Sequence, residues 1–234
     1  MFKQFIKFLK LNYYGQNCEN FSPGFGFGVS CFPRSSEVDT IDKGLISISE
    51  LKYGDYVKSY DLNQNKWIFS KFLFYLHKDD QIQAEYILIK TSSNLILKVS
   101  KYHLVALYRT NKIHFVFASE LIINDTLIID DKNGKKHDFI VQLTKYVDYG
   151  AYAPLLESGT ISVNNVLASC YANTKLHNFV HFLFQPIIQL SKYIDSNKLI
   201  EINDSELPNG IFWYAKVMLN LRNYIPFMNS FLVF

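Results

Sequence analysis

The sequence is short of the features that announce the commoner kinds of function. Only three cysteines, Cys18, Cys31 and Cys170, occur in 234 residues, an odd number too sparse for a disulfide framework. There is no Cys-x-x-Cys or His-x-x-His pair with zinc-ligand spacing, so no metal site is expected. Charged residues make up 19% of the chain and leave a net charge of +3, too small and too evenly spread to point to nucleic acid. No run of apolar residues is long enough for a spanning helix. Lys3, Lys7 and Lys10 interrupt what would be the apolar stretch of a secretory leader, and none is read there. Sequons at Asn20, Asn124 and Asn203 are compatible with a secretory route but too common by chance to decide it.

What is present is a hydrophobic, aromatic-rich chain: 49% apolar residues, with 20 Phe and 16 Tyr. That composition belongs to a packed globular protein, long enough for one large domain or a domain with an appendage. Residues 1–12 have the pattern of a short basic amphipathic helix, and 13–30 read as a loop kept irregular by Pro23, Gly24, Gly26 and Gly28. From Cys31 to about residue 172, short β-patterned segments alternate with turn signals. They include 66–69, 72–76, 85–91, 95–99, 103–108 and 139–147, taken here as separate strands. Many strands and few helices predict a mainly β, pseudo-symmetric fold. Beyond Ala172 the period becomes helical over 175–193 and 210–224, with Pro186, Pro208 and Pro226 as expected breaks.

Several stretches together resemble one family. Ser30-Cys31-Phe32 opens the pattern. Ile48, Glu50, Leu51, Gly54, Asp55 and Val57 are similar to the strand-turn-strand block of Hint domains, and Ser100-Lys101-Tyr102-His103 to their Thr-x-x-His block. The segment Ala168-Ser169-Cys170-Tyr171-Ala172 resembles the closing block of the Hog domain, the autoprocessing half of hedgehog proteins and their nematode-type relatives. The resemblance implies an intein-like, horseshoe-shaped Hint β domain at 31–174, an N-terminal flanking segment at 1–30, and a helical, sterol-recognition-like region at 175–234. Intein splicing is not expected: it ends at His-Asn followed by Cys, Ser or Thr, whereas here Asn165 precedes Val166 and the chain runs on.

The chemistry the resemblance implies is cleavage of the chain's own backbone. The thiol of Cys31 attacks the carbonyl of Ser30 in an N-to-S acyl shift. His103 donates a proton to the departing amine, and Ser100, in place of the family's Thr, orients or polarises the scissile carbonyl. The thioester is then resolved by water or a lipid alcohol such as cholesterol, entering as co-substrate with no cofactor. The carboxylate that activates the sterol in hedgehog proteins has His77 in its place, at a strand end. A shift of two residues would restore Asp79 but break the strand's alternation. For Cys170 two readings stay open, a redox partner or modulator of Cys31 and a plain buried residue. The expected partners are the N-terminal segment itself, cholesterol or another lipid, and a membrane surface through 175–234. The family also implies a secretory or extracellular location. An inactive Hint fold serving as a lipid- or protein-binding module is the alternative. A cysteine protease acting in trans lacks an Asn or Asp partner for Cys31 and His103.

Overall fold

The structure is a computed structural model and describes residues 31–131, 136–172, 176–191 and 210–211. Among the described residues twelve strands form one continuous antiparallel sheet system. They are β1 Glu37–Thr40, β2 Gly44–Ser47, β3 Tyr56–Asp61, β4 Lys66–Thr91, β5 Ile96–Val99 and β6 His103–Arg109, followed by β7 Lys112–Phe117, β8 Thr126–Ile128, β9 His137–Leu156, β10 Thr160–Val163, β11 Val166–Ala172 and β12 Gly210–Ile211. The path runs β10-β11-β6-β8-β9-β4-β3-β1-β2, with β5 and β12 also on β4 and β7 on β6. Among the described residues one α-helix, α1, covers His177–Ser191.

The axis of the sheet is the pairing of β4 with β9, far longer than any other among the described residues. The segments expected as separate strands at 66–69, 72–76 and 85–91 are one strand of 26 residues. Bulges interrupt its side-chain alternation: the register shifts at Phe72/Phe74, Tyr75/His77, Asp79/Gln83 and Lys90/Thr91. The shifts at Phe72/Phe74 and Tyr75/His77 each add one residue to β4 and reset its period of two, and that at Asp79/Gln83 adds two more. The continuous strand therefore looks segmented when read from hydrophobicity alone. Phe72, Leu73, Ile89, Ile140, Leu155 and Leu156 along these two strands are buried in the main core.

The pseudo-symmetry has a local signature. Ile48-Ser49-Glu50-Leu51 leads to Gly54-Asp55, and Ala118-Ser119-Glu120-Leu121 leads to Asn124-Asp125; each begins with a 3-10 turn. Gly54 and Asn124 both have positive φ, 91° and 73°. Asp55 accepts the Lys52 amide at 2.9 Å, and Asp125 accepts the Ile122 amide at 3.0 Å. The carbonyl of Asp55 takes Phe72 N–H at 2.7 Å, and that of Asp125 takes Ile140 N–H at 2.9 Å. These turns lead into β3 and β8 and dock onto β4 and β9 in equivalent ways, one in each half.

Two expectations for the C-terminal part are corrected. α1 continues through Pro186 instead of breaking there, so one backbone hydrogen bond is forgone where packing of Phe184, Ile187 and Ile188 into the core outweighs the loss. Gly210 and Ile211 do not start a helix: they pair with Lys78 and His77 as strand β12. The remainder of that expected helix, and segment 1–30, lie outside the described residues.

α1 is fastened to the sheet by histidines. His177 Nδ1 lies 2.8 Å from Ser169 Oγ, and its ring stacks on Phe115 at 4.2 Å. His181 Nδ1 lies 2.8 Å from Tyr171 Oη. Gly159, at φ +75°, leaves room for the His181 ring, because a Cβ there would sit 2.5 Å from Nδ1. Burial pushes His177 down to about 3. Its neutral form therefore stabilises the fold fully above the unfolded value near 6.5, and that contribution drains away as pH falls. Between pH 6.5 and 5 the loss is about 2 kcal/mol, to be read as a lowered urea midpoint that flattens with pH in His177→Phe. Gly159→Ala should cost about 1–3 kcal/mol by strain and displacement of His181, measurable in the same titration.

Candidate active site

Cys31 is the first described residue, and the backbone around it is held on two sides. Its N–H donates to Ser100 Oγ at 2.7 Å, and its carbonyl accepts Ser100 N–H at 3.0 Å. Its neighbour Phe32 exchanges two backbone hydrogen bonds with Tyr152, each 2.9 Å. The side chain of Cys31 is fully buried among Ala151, Ala153, Leu76 and Ile82. Burial first, and the field of Asp79 second, push the Cys31 thiol well above its ordinary value, so it is a neutral thiol at pH 7.

The turn after β5 brings Ser100 and His103 to this point. His103 N–H returns to Ser100 O at 3.1 Å, closing the turn. His103 begins β6, is fully buried, and packs its ring against Phe32 at 4.3 Å. His103 Nε2 lies 2.8 Å from the carbonyl of Ser169. A carbonyl only accepts, so Nε2 carries a proton and Nδ1 is the basic nitrogen of the ring. Ser100 Oγ accepts the N–H of the Ser30–Cys31 peptide, and the carbonyl it is expected to orient or polarise lies outside the described residues. Ser30 itself lies outside the described residues, as does Cys18.

His77 is not at a strand end. It stands in the interior of β4, between Ala153 of β9 and Ile211 of β12. His77 and Asp79 oppose Ala153 and Ala151, the two residues that line the Cys31 thiol. Cross-strand partners share a face, so thiol, imidazole and carboxylate meet on one side of the sheet. Among the described residues neither ring nitrogen of His77 has a hydrogen-bond partner, although the residue is only 8% exposed. Burial, opposed by Asp79, lowers it to about 4. It is a neutral base form at pH 7 with both nitrogens uncommitted.

Residues beyond those the motifs name complete the site. Between Asp79 and Gln83 the register of β4 gains two residues over β9. Asp79 Oδ1 caps this bulge, accepting Gln81 N–H at 2.9 Å and Ile82 N–H at 3.0 Å. Asp80 is tied to Tyr152 Oη and to Arg34, whose Nη2 donates to the Asp80 carbonyl at 2.7 Å. Gly150, opposite the bulge at φ +77°, could not be larger: a Cβ would fall 2.7 Å from the Tyr152 ring. Bulges beside a reacting centre re-aim side chains in this way. The only sequence signals for them were the paired aspartates and the Tyr152-Ala153-Pro154 block. Cys170 is a free thiol in the main core, in a different cluster from Cys31, and burial pushes it up to about 12.

Comparison with known proteins agrees with this geometry. The family model described as the Hint module matches residues 24–226. Warthog protein 6 of Caenorhabditis elegans is 31% identical over 199 residues, covering 82% of this chain and 33% of that protein. Tiggy-winkle hedgehog protein of Danio rerio is 29% identical over 210 residues, covering 86% of this chain and 50% of that protein. The chain thus spans half or less of the length of these relatives. Among solved structures, a DnaB intein from Synechocystis sp. PCC 6803 superposes with a TM-score of 0.50 at 15% identity, over 60% of this chain and 97% of the intein, a likeness of fold. With the intein-like β fold and the hedgehog-type relatives in view, the chain belongs to the Hint family, as a domain of the Hog type.

Proposed function

We propose that this chain is a single-turnover autoprocessing domain that cleaves its own backbone between Ser30 and Cys31. Cys31 Sγ attacks the Ser30 carbonyl carbon, the C–N bond breaks as the C–S bond forms, and the thiol proton is balanced by one delivered to the departing amine. His103 relays it: Nδ1 takes up the thiol proton and hands it to the departing amine, while Nε2–H stays on the Ser169 carbonyl. Ser100 Oγ holds the scissile N–H in line with the His103 turn. The observation that carries this reading is the double hold of Ser100 on Cys31, which fixes a buried nucleophile directly after the bond to be cut.

The thioester is resolved by a lipid alcohol or water: the hydroxyl oxygen bonds to the acyl carbon, the C–S bond breaks, and the sulfur regains a proton. His77 takes the hydroxyl proton as general base. Support comes from its uncommitted nitrogens, its neutral state and its place on the Cys31 face of β4. Cholesterol as the alcohol, membrane contact through 175–234 and a secretory location rest on the hedgehog resemblance. The released partner is the chain's own N-terminal segment.

The first test fuses a tag to the N-terminus and follows intact mass with and without dithiothreitol. Release of the tagged piece ending at Ser30, faster with thiol and absent in Cys31→Ala, is the expected result. An uncut chain under every condition would leave only a binding module. The second test adds cholesterol. His77→Ala should keep thiol-induced release and lose about 10²–10⁴-fold in transfer to the alcohol. In the unaltered chain the acid limb of the transfer step should fall near pH 4, the value of His77, and not near 6.5.

A further inference from the structure

The closing block holds a residue whose two polar groups do different jobs. Between Ala168 and Ala172, β11 gains two residues over β6: Ala168 faces Val105 and Ala172 faces His103, so Ser169, Cys170 and Tyr171 stand opposite Leu104 alone. This bulge takes the Ser169 carbonyl out of the β6 ladder and leaves it to accept His103 Nε2 at 2.8 Å. The same residue staples the bulge: Ser169 Oγ accepts the Tyr171 N–H at 2.8 Å. With that bond made, the hydroxyl proton is directed to His177 Nδ1, 2.8 Å away at the start of α1. Ser169 is fully buried, so losing its hydroxyl strands Tyr171 N–H and His177 Nδ1 with no water to replace it.

We propose that Ser169 is a positioning residue for His103: its hydroxyl fixes the β11 bulge, and the bulge presents the carbonyl that selects the nitrogen through which His103 moves its proton. This rests on the autoprocessing reading above. The tie to His177 carries the restraint outward, so the seating of α1 reaches the first chemical step through one side chain. A hydroxyl needed only for packing would leave the protonation pattern of His103 unchanged. A positioning hydroxyl sets it.

The experiment uses the full tagged chain as Ser169→Ala and Ser169→Thr, with two readouts. Thiol-induced release should slow about tenfold or more in Ser169→Ala and recover in Ser169→Thr, which keeps the hydroxyl. Imidazole 15N shifts, recorded in Cys31→Ala so that no cleavage intervenes, should report the Nε2–H tautomer of His103 with Ser169 and a mixed population with Ser169→Ala. An unchanged rate and tautomer in Ser169→Ala, or a Ser169→Thr chain as slow as Ser169→Ala, would overturn the proposal. If the unaltered chain releases nothing, the autoprocessing reading fails, and the tautomer alone still decides whether Ser169 positions His103.

Discussion

The site depends on the pair of backbone hydrogen bonds between Phe32 and Tyr152. They convert the residue after Cys31 into a rung on the long β9 strand and carry the cysteine into the interior with it. Once Phe32 is seated, its ring meets His103 and the Cys31 peptide reaches Ser100. Side-chain hydrogen bonds alone would hold a chain segment loosely; a two-bond bridge to a strand anchored over most of its length does not slip by a fraction of a residue. Tyr152 is in turn held by Asp80 and Arg34 through its hydroxyl, so the bulge in β4 and the seat of the cysteine are one construction.

Around that seat, burial sets the protonation states. Cys31, His77 and His177 are all held in their neutral forms by loss of water. A site made of neutral groups keeps charge separation for the moment of reaction, when a sulfur and an amine exchange a proton. Asp79 acts on the two groups in opposite senses: it reinforces the neutral thiol of Cys31 and partly offsets the desolvation that keeps His77 neutral. Its Oδ1 is occupied by two amides of the bulge, so this carboxylate serves the shape of β4 beside the site.

The chain order of Cys31, Ser100 and His103 was legible in the sequence because a turn and a strand start need few residues. Their arrangement was not, since the bridge to Tyr152 and the carbonyl of Ser169 come from strands remote in the chain. β4 looked like several strands because bulges scramble the alternation that sequence reading relies on. His77 looked like a strand end because β12, which covers it, is two residues carrying no periodicity of their own. The 3-10 turn blocks at Ile48 and Ala118 were the missed clue to pseudo-symmetry: Ser-Glu-Leu followed by a positive-φ residue and Asp occurs in both. The proline at 186 misled because local propensity was weighed without the core that α1 covers.

The complete burial of Cys31 has a consequence for kinetic order. A thiol shut away from solvent and left protonated offers little to electrophiles diffusing from outside. The carbonyl adjoining it in the chain needs no diffusion at all, since nucleophile and target are covalently one molecule. Reaction at that carbonyl is first order in the chain, with the same half-life in dilute and crowded solution. In the proposed reaction, the isolation that guards the sulfur against chance modification would also leave it a single use, because no second acyl group adjoins it once the first has gone.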